Sequence, residues 1–390
     1  MTKVANIIED GRYGGPQARI TAVSKSIKQK GFETTVILPN NNSDVFLEKL
    51  KYAEVPYQII KLHHLTKSLP HLLRYIIFFV PEIIFISKII KKERYAIVHC
   101  NGCWQFKGVI ASKLANSMVV WHLNDLQMPR IVQIVFSMLA SHWADGFIFA
   151  SEKVKKYYSN KYLTQEIINK KPHLIVQAPV DTKKFDPEKV KPDINMAQMT
   201  GLNISTIANI NYIKGLDVFI KMCKLLRNEL SETKLDFLII GNTYKTQKKY
   251  ANFLKKMKED FNLDNLHFWG AADNINEILK ATDIYVCSSL SEASPTAVWE
   301  AMSMSKAIVS TDVGDVGRIF GENNCGLIVP PNNPNALAKQ VSLLVQDQQL
   351  RNELASRTRT VAIENLDLEV CKQQHISLYR SVLKNDIKYY

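Results

Sequence analysis

One pattern constrains the fold of this chain more than any other. Short apolar runs, each the length of one strand, alternate with longer stretches of helical spacing. In the first half the runs are "VANII", "TTVILP", "YAIVHC", "MVVWHL" and "DGFIFAS". The second half begins the series again with "NISTIAN", "LDFLIIG", "LHFWG", "DIYVCSS", "KAIVSTD" and "GLIVPP". Runs this continuously apolar indicate strands buried on both faces, as in a parallel sheet covered by helices. Two such series predict an α/β chain of two doubly wound, Rossmann-like domains facing across a cleft. A length of 390 residues suits two cores better than one. The stretch "VQAPVDTKKFDPEKVKPD" has three prolines and no period, which puts the join near residues 176–195. The expected domains are 1–180 and 195–365. A helix over 366–390 is expected to pack back on the first.

Charge separates the halves. Residues 1–180 hold 24 Lys+Arg and 12 Asp+Glu, 24 − 12 = +12, and the remainder holds 26 and 25, 26 − 25 = +1. The asymmetry suggests an anionic partner for the first half, against a plain lysine-rich surface. One segment there, Leu69–Lys92, is very apolar but is interrupted by Arg74, Pro81, Glu82 and Lys88. It fails the test for a spanning helix. Its basic ends and Ile/Phe face suit a helix lying in a membrane interface, and a pair of core helices is the competing reading. Pro129–Trp143 is a second apolar helix open to either role. No secretory signal is read at the start, and the six cysteines lack framework spacing, which points to the cytosol. "CNGC" (Cys100, Cys103) is a lone pair read as reduced thiols.

The segment "SLSEASPTAVWEAMSMSKAIVSTDVGD" carries Glu292 and Glu300 with Pro295 between them. Ser294-Pro295 reads as a helix start, serine capping and proline first. A helix N-terminus suits a phosphate, and carboxylates accept pairs of sugar hydroxyls. A nucleotide sugar would place its diphosphate between two such acids. Taken alone, the spacing favours an ordinary amphipathic helix with a solvated glutamate. Two further helix starts carry phosphate-binding residue types: Lys214-Gly215, and Gly14-Gly15 in "GGPQAR", which ends at Arg19.

Together these pieces resemble the retaining glycosyltransferases of family 4, which have the GT-B fold. The resemblance spans nearly the whole chain. It is most specific in "SEASPTAVWEAMS", which is similar to that family's pair of glutamates with seven residues between them. It is supported by "GGPQARITAVSKSIKQKGFETTVI", "YAIVHCNG", "VVWHLND" and "LHFWG". It implies that Glu292 contacts the donor hexose and Glu300 the ribose. It implies that Lys214 and backbone amides in the stretch Ser294, Pro295 and Thr296 hold the phosphates, and that Gly14 and Gly15 admit the diphosphate. By the same resemblance His122 lies near the reacting centre, with Arg19 and Asp125 in the cleft. The family's usual phosphate-binding arginine is replaced by Asn209. Ala293 follows the first glutamate where glycine is usual, and Ser305-Lys306-Ala307 stands for a Gly-x-Pro.

The expected activity is transfer of a hexose from a UDP- or GDP-sugar, without metal or other cofactor. The acceptor is expected to be a glycan or a lipid-linked molecule in cell-surface polysaccharide or lipopolysaccharide assembly. The protein would then lie in the cytoplasm, on the inner face of the membrane, touching it through Leu69–Lys92. The rivals are a nucleotide-sugar epimerase of the same fold and a non-catalytic, membrane-associated nucleotide-sugar binder. The turn "GRYGG" lacks the GxGxxG spacing of a dinucleotide oxidoreductase. A nucleic-acid partner would explain the charge but not the acids.

Overall fold

The computed structural model describes residues 1–64, 69–126 and 128–386. The chain divides into two units, Met1–Ala178 joined by the segment from Leu368, and Pro179–Asp367.

The first unit is a seven-stranded parallel sheet. Its strands are β1 (Thr2–Ile8), β2 (Phe32–Pro39), β3 (Tyr57–Ile60), β4 (Ile97–Asn101), β5 (Met118–Leu123), β6 (Gly146–Phe149) and β7 (His173–Ile175), in the order β3-β2-β1-β4-β5-β6-β7. The central strands are buried almost throughout, as their continuous apolar runs require. The two edge strands, β3 and β7, are not visible as apolar runs, because each is short and half exposed. Val4, Ile97, Val120 and Ile148 form one side of the core. The C-terminal helix Leu368–Asp386 completes it with Tyr379 and Val382, packed beside the helix Gly15–Ile27.

The segment read as apolar is one helix, Leu69–Glu93, which continues through Pro81. It is not a pair. It packs on the helix Phe106–Leu114, which in turn meets Arg130–Trp143. The inner face of the long helix buries Tyr75, Glu82, Ile83, Ile86, Ile89 and Ile90. Its outer face is also apolar: Leu73, Ile76, Ile77 and Val80 are all more than half exposed. Among the described residues no helix is long and apolar enough to cross a membrane.

The second unit is a six-stranded parallel sheet of β8 (Leu202–Ile207), β9 (Leu235–Ile240), β10 (Leu266–Gly270), β11 (Ile284–Cys287), β12 (Ala307–Thr311) and β13 (Leu327–Val329). The order is β10-β9-β8-β11-β12-β13. Ile204, Phe237, Val286 and Val309 on the strands pack against Phe219 and Met222 of the helix Leu216–Glu229.

Candidate active site

The second sheet reverses its direction of growth between β8 and β11. Loops leaving the carboxyl ends of two such strands diverge, and the crevice between them is where doubly wound sheets bind ligands. One loop, Ala208–Gly215, leads into the helix Leu216–Glu229. The other, Ser288–Pro295, leads into the helix Thr296–Ser303. The loops are stitched together. The N–H of Leu290 donates to the carbonyl of Ile213 at 2.7 Å, and the Ser288 hydroxyl donates to the carbonyl of Lys214 at 3.0 Å. Gly215 has φ +59°, and a Cβ there would lie 2.2 Å from the Ser288 carbonyl oxygen, so only glycine fits.

That close approach sets Lys214 beside Glu292. Their Nζ and Oε1 are 2.5 Å apart, and the Ser289 hydroxyl donates to the same oxygen at 3.0 Å. The Ser289 carbonyl in turn accepts from Thr311 at 2.7 Å, which anchors the loop to β12. The turn after β12 presses on the loop from the other side. Gly314 has φ +53°, and a Cβ there would meet the Ala293 carbonyl oxygen at 2.8 Å. The sequence gives no sign of the part played by Ser289. Its neighbour Ser288, in "VCSS", shows only that polar residues follow a strand.

The helix begins one residue later than its sequence suggests. Pro295 is the cap and Thr296 the first helical residue, and no side chain caps the start. Ser294 does not cap because its hydroxyl accepts from the Trp299 indole N–H at 3.0 Å. Pro295 carries no N–H. The amides offered to a ligand are therefore those of Thr296 and Ala297, which helix geometry leaves without intrahelical acceptors. Glu300 lies about 6 Å further along the axis. Burial pushes its carboxyl up to about 7, against the opposing charge of Lys184. Among the described residues its carboxyl has no hydrogen-bond partner. Asn209 is exposed, and its side-chain Oδ1 accepts from the Asn242 backbone N–H at 2.9 Å, bracing two adjacent loops. A ligand here meets one lysine, one helix start and two carboxyls, which is enough to hold an anionic group flanked by two polyols.

In the first unit, Gly14 caps the helix Gly15–Ile27 without a side chain, and both glycines are exposed. A Cβ on Gly14 would make only ordinary contact, with the Gln17 side chain at 3.5 Å. Arg19 and His122 belong to a buried cluster. The Arg19 guanidinium donates to His122 Nδ1, and to Asn101 Oδ1 at 2.7 Å. His122 must then carry its proton on Nε2. It is 1% exposed, so its ring lies inside the unit rather than on its surface. His99 Nε2 then donates to the same His122 Nδ1 at 3.2 Å, and His99 Nδ1 accepts from the Tyr379 hydroxyl at 2.7 Å. His99, His122 and His375 bring ring nitrogens within 4.8 Å of one another, a spacing open to a metal. The positive charge actually held there is Arg19. Burial, and then that guanidinium, hold all three imidazoles far below their usual range, His375 at about 3. Asp125 accepts from the Tyr158 hydroxyl at 3.2 Å and the Cys103 thiol at 3.1 Å. All six cysteines are buried and free.

Two family models match the chain. "Glycosyltransferase Family 4" matches residues 13–181 and "Glycosyl transferases group 1" matches 192–361. The chain belongs to glycosyltransferase family 4. A full-length relative of this glycosyltransferase comes from Campylobacter jejuni: N,N'-diacetylbacillosaminyl-diphospho-undecaprenol alpha-1,3-N-acetylgalactosaminyltransferase. It is 24% identical over 93% of this chain and 95% of its own. Among solved structures, a glycosyltransferase from Rickettsia africae matches with a TM-score of 0.83 at 18% identity, covering 98% of this chain and 99% of that one. Anabaena HepE, solved with UDP and glucose, matches with a TM-score of 0.79 at 17% identity, covering 98% and 100%. These likenesses establish the GT-B fold.

Proposed function

We propose that this glycosyltransferase moves a hexose from a UDP- or GDP-sugar to a lipid-linked acceptor, with retention at the anomeric carbon and without metal. One observation carries the reading: Lys214, Glu292 and the start of the helix Thr296–Ser303 converge at the switch point of the second sheet. The diphosphate lies against Lys214 and the amides of Thr296 and Ala297. Glu300 accepts the ribose hydroxyls and Glu292 those of the hexose. The Lys214–Glu292 pair must loosen as the donor enters, because the phosphates compete for the ammonium group. The bond from the anomeric carbon to the diphosphate oxygen breaks, and the acceptor oxygen bonds to that carbon on the same face. The acceptor's proton passes to the departing phosphate. Lys214 and the amides stabilise the charge that develops there.

Two observations support a lipid-linked acceptor. The Campylobacter relative is named for an acceptor on diphospho-undecaprenol. Here the helix Leu69–Glu93 turns an apolar face outward, with Lys88, Lys91 and Lys92 exposed near its end. Such a helix suits the interface of an anionic membrane. These features support an enzyme acting at the inner face of the cytoplasmic membrane, in surface-glycan assembly. A thermal-shift panel of UDP- and GDP-sugars identifies the donor, and NMR of the product reads the anomeric configuration. A product of inverted configuration overturns retention. Wild-type transfer by Glu292→Ala overturns the role of that acid.

A further inference from the structure

The first unit has a second concave site that the reading above does not use. Loops at the carboxyl ends of β2 and β3, with the first turns of the helix Leu69–Glu93, enclose about 520 Å³. The ionisable side chains on its described lining are Lys61, His63, His64, His71 and Arg74, and the rest is asparagine and one leucine. There is no carboxylate among them.

The nearby acids do not offset this charge. Glu82 is buried beneath the cavity. It accepts from His63 Nδ1 at 2.5 Å and from the His63 backbone N–H at 3.2 Å. Its other oxygen accepts from the buried Lys107 ammonium at 2.6 Å. Lys107 therefore neutralises Glu82, whose remaining effect is to orient His63. With Nδ1 bound to a carboxylate, the open ring nitrogen of His63 is Nε2. The ring is held in place by stacking on Phe78, at 4.7 Å between centroids. Asp10 is paired with Arg12 at 2.6 Å. His64 is held below its usual range by burial and by the charges of Arg12, His71 and Lys107, with only Asp10 opposing. The formal charges on the described lining are Lys61 and Arg74, and with no carboxylate beside them they focus an attractive field on an anion in the concavity.

The cavity adjoins the exposed apolar stripe of the same helix. Leu73, Ile76, Ile77 and Val80 are 52–65% exposed. Arg74 lines the cavity within that stretch. An anion held by Arg74 and Lys61 could therefore carry a hydrocarbon chain straight onto the apolar face. We propose that this cavity binds the phosphate or diphosphate of a lipid-linked acceptor, with the lipid lying along the outward face of Leu69–Glu93. The proposal rests on the lipid-linked acceptor reading and adds the residues that recognise its anionic link.

The test is flotation of the full chain with three sets of vesicles. One is neutral phosphatidylcholine. The second adds phosphatidylglycerol, and the third adds a polyprenyl diphosphate at matched total charge. The wild type should bind the polyprenyl diphosphate vesicles at least tenfold more tightly than the phosphatidylglycerol ones. Lys61→Ala/Arg74→Ala, at two exposed positions, removes charge that acts on both anionic vesicles alike, so the readout is the ratio of the two affinities, which should fall from about tenfold to about one. Equal binding of the wild type to both anionic vesicles, or a preference that survives in the variant, overturns the cavity assignment alone. Binding to none of the three overturns the lipid-linked acceptor and the cavity assignment together.

Discussion

At the scale of the residue, the most informative group is Glu300. Its carboxyl titrates near 7 because burial disfavours the charge. The native state therefore holds this proton more tightly than the unfolded chain does. The carboxyl costs stability progressively as pH rises from about 4.5 through 7. The ribose contact proposed for Glu300 asks for the opposite, an ionised acceptor. Nucleotide affinity should accordingly rise between pH 6 and pH 8, measured by calorimetry. Glu300→Gln should bind about tenfold more weakly at pH 8, lose that rise, and unfold at no lower urea concentration than the wild type. Lys214 tests the other end of the donor. Lys214→Ala should lower kcat/KM by about 10²-fold, as loss of a stabilising donor does elsewhere, and leave urea stability nearly unchanged. The pair of glutamates was legible because its spacing is local. Side-chain pairings were not, since Ser289 meets Glu292 only through loop geometry, and Arg19 meets His122 across 103 residues of sequence.

At the scale of the element, strands were easy to read and helix starts were not. A buried parallel strand writes itself as an apolar run, so β1, β4, β8 and β11 stand out. The start at Pro295 shifted by one residue because Trp299, one turn on, claims the serine that would have capped it. Leu69–Glu93 was ambiguous because both of its faces are apolar, so its pattern cannot tell core from interface. The inner face also carries the Glu82–Lys107 ion pair, with the Lys107 ammonium 4.0 Å above the Tyr75 ring. Glu82→Gln leaves that ammonium buried without its countercharge and should cost about 3–5 kcal/mol in urea unfolding. The turn between the helix Thr296–Ser303 and β12 offers the reverse change. Ser305 sits at φ +53°, in the left-handed region. Ser305→Gly should gain up to about 1 kcal/mol, the relief of strain exceeding the entropy lost.

At the scale of the molecule, the two sheets obey one plan but carry different charge. Both grow from a central switch point, β1 with β4 and β8 with β11. The repeated run of strands announced this before any side chain was placed. What sequence could not convey is where the charge goes, since basic residues scattered along the first half could cover any surface. In the fold, some of it lines the cavity by Arg74, some lies at the far end of Leu69–Glu93, and Arg19 and Lys107 are buried. Only the exposed part can attract a membrane at a distance, and that attraction is screened over about 10 Å at 0.1 M salt. The apolar face acts only on contact and is insensitive to salt. The two contributions can therefore be separated on the intact protein. Binding to phosphatidylglycerol vesicles should fall at least tenfold between about 0.05 and 0.5 M NaCl. Ile77→Glu, at a position 65% exposed, should weaken binding at both salt concentrations without lowering the melting temperature. If Ile77→Glu binds as the wild type does, the helix is not the membrane-facing element. If salt has no effect, the +12 of residues 1–180 plays no part in reaching the membrane.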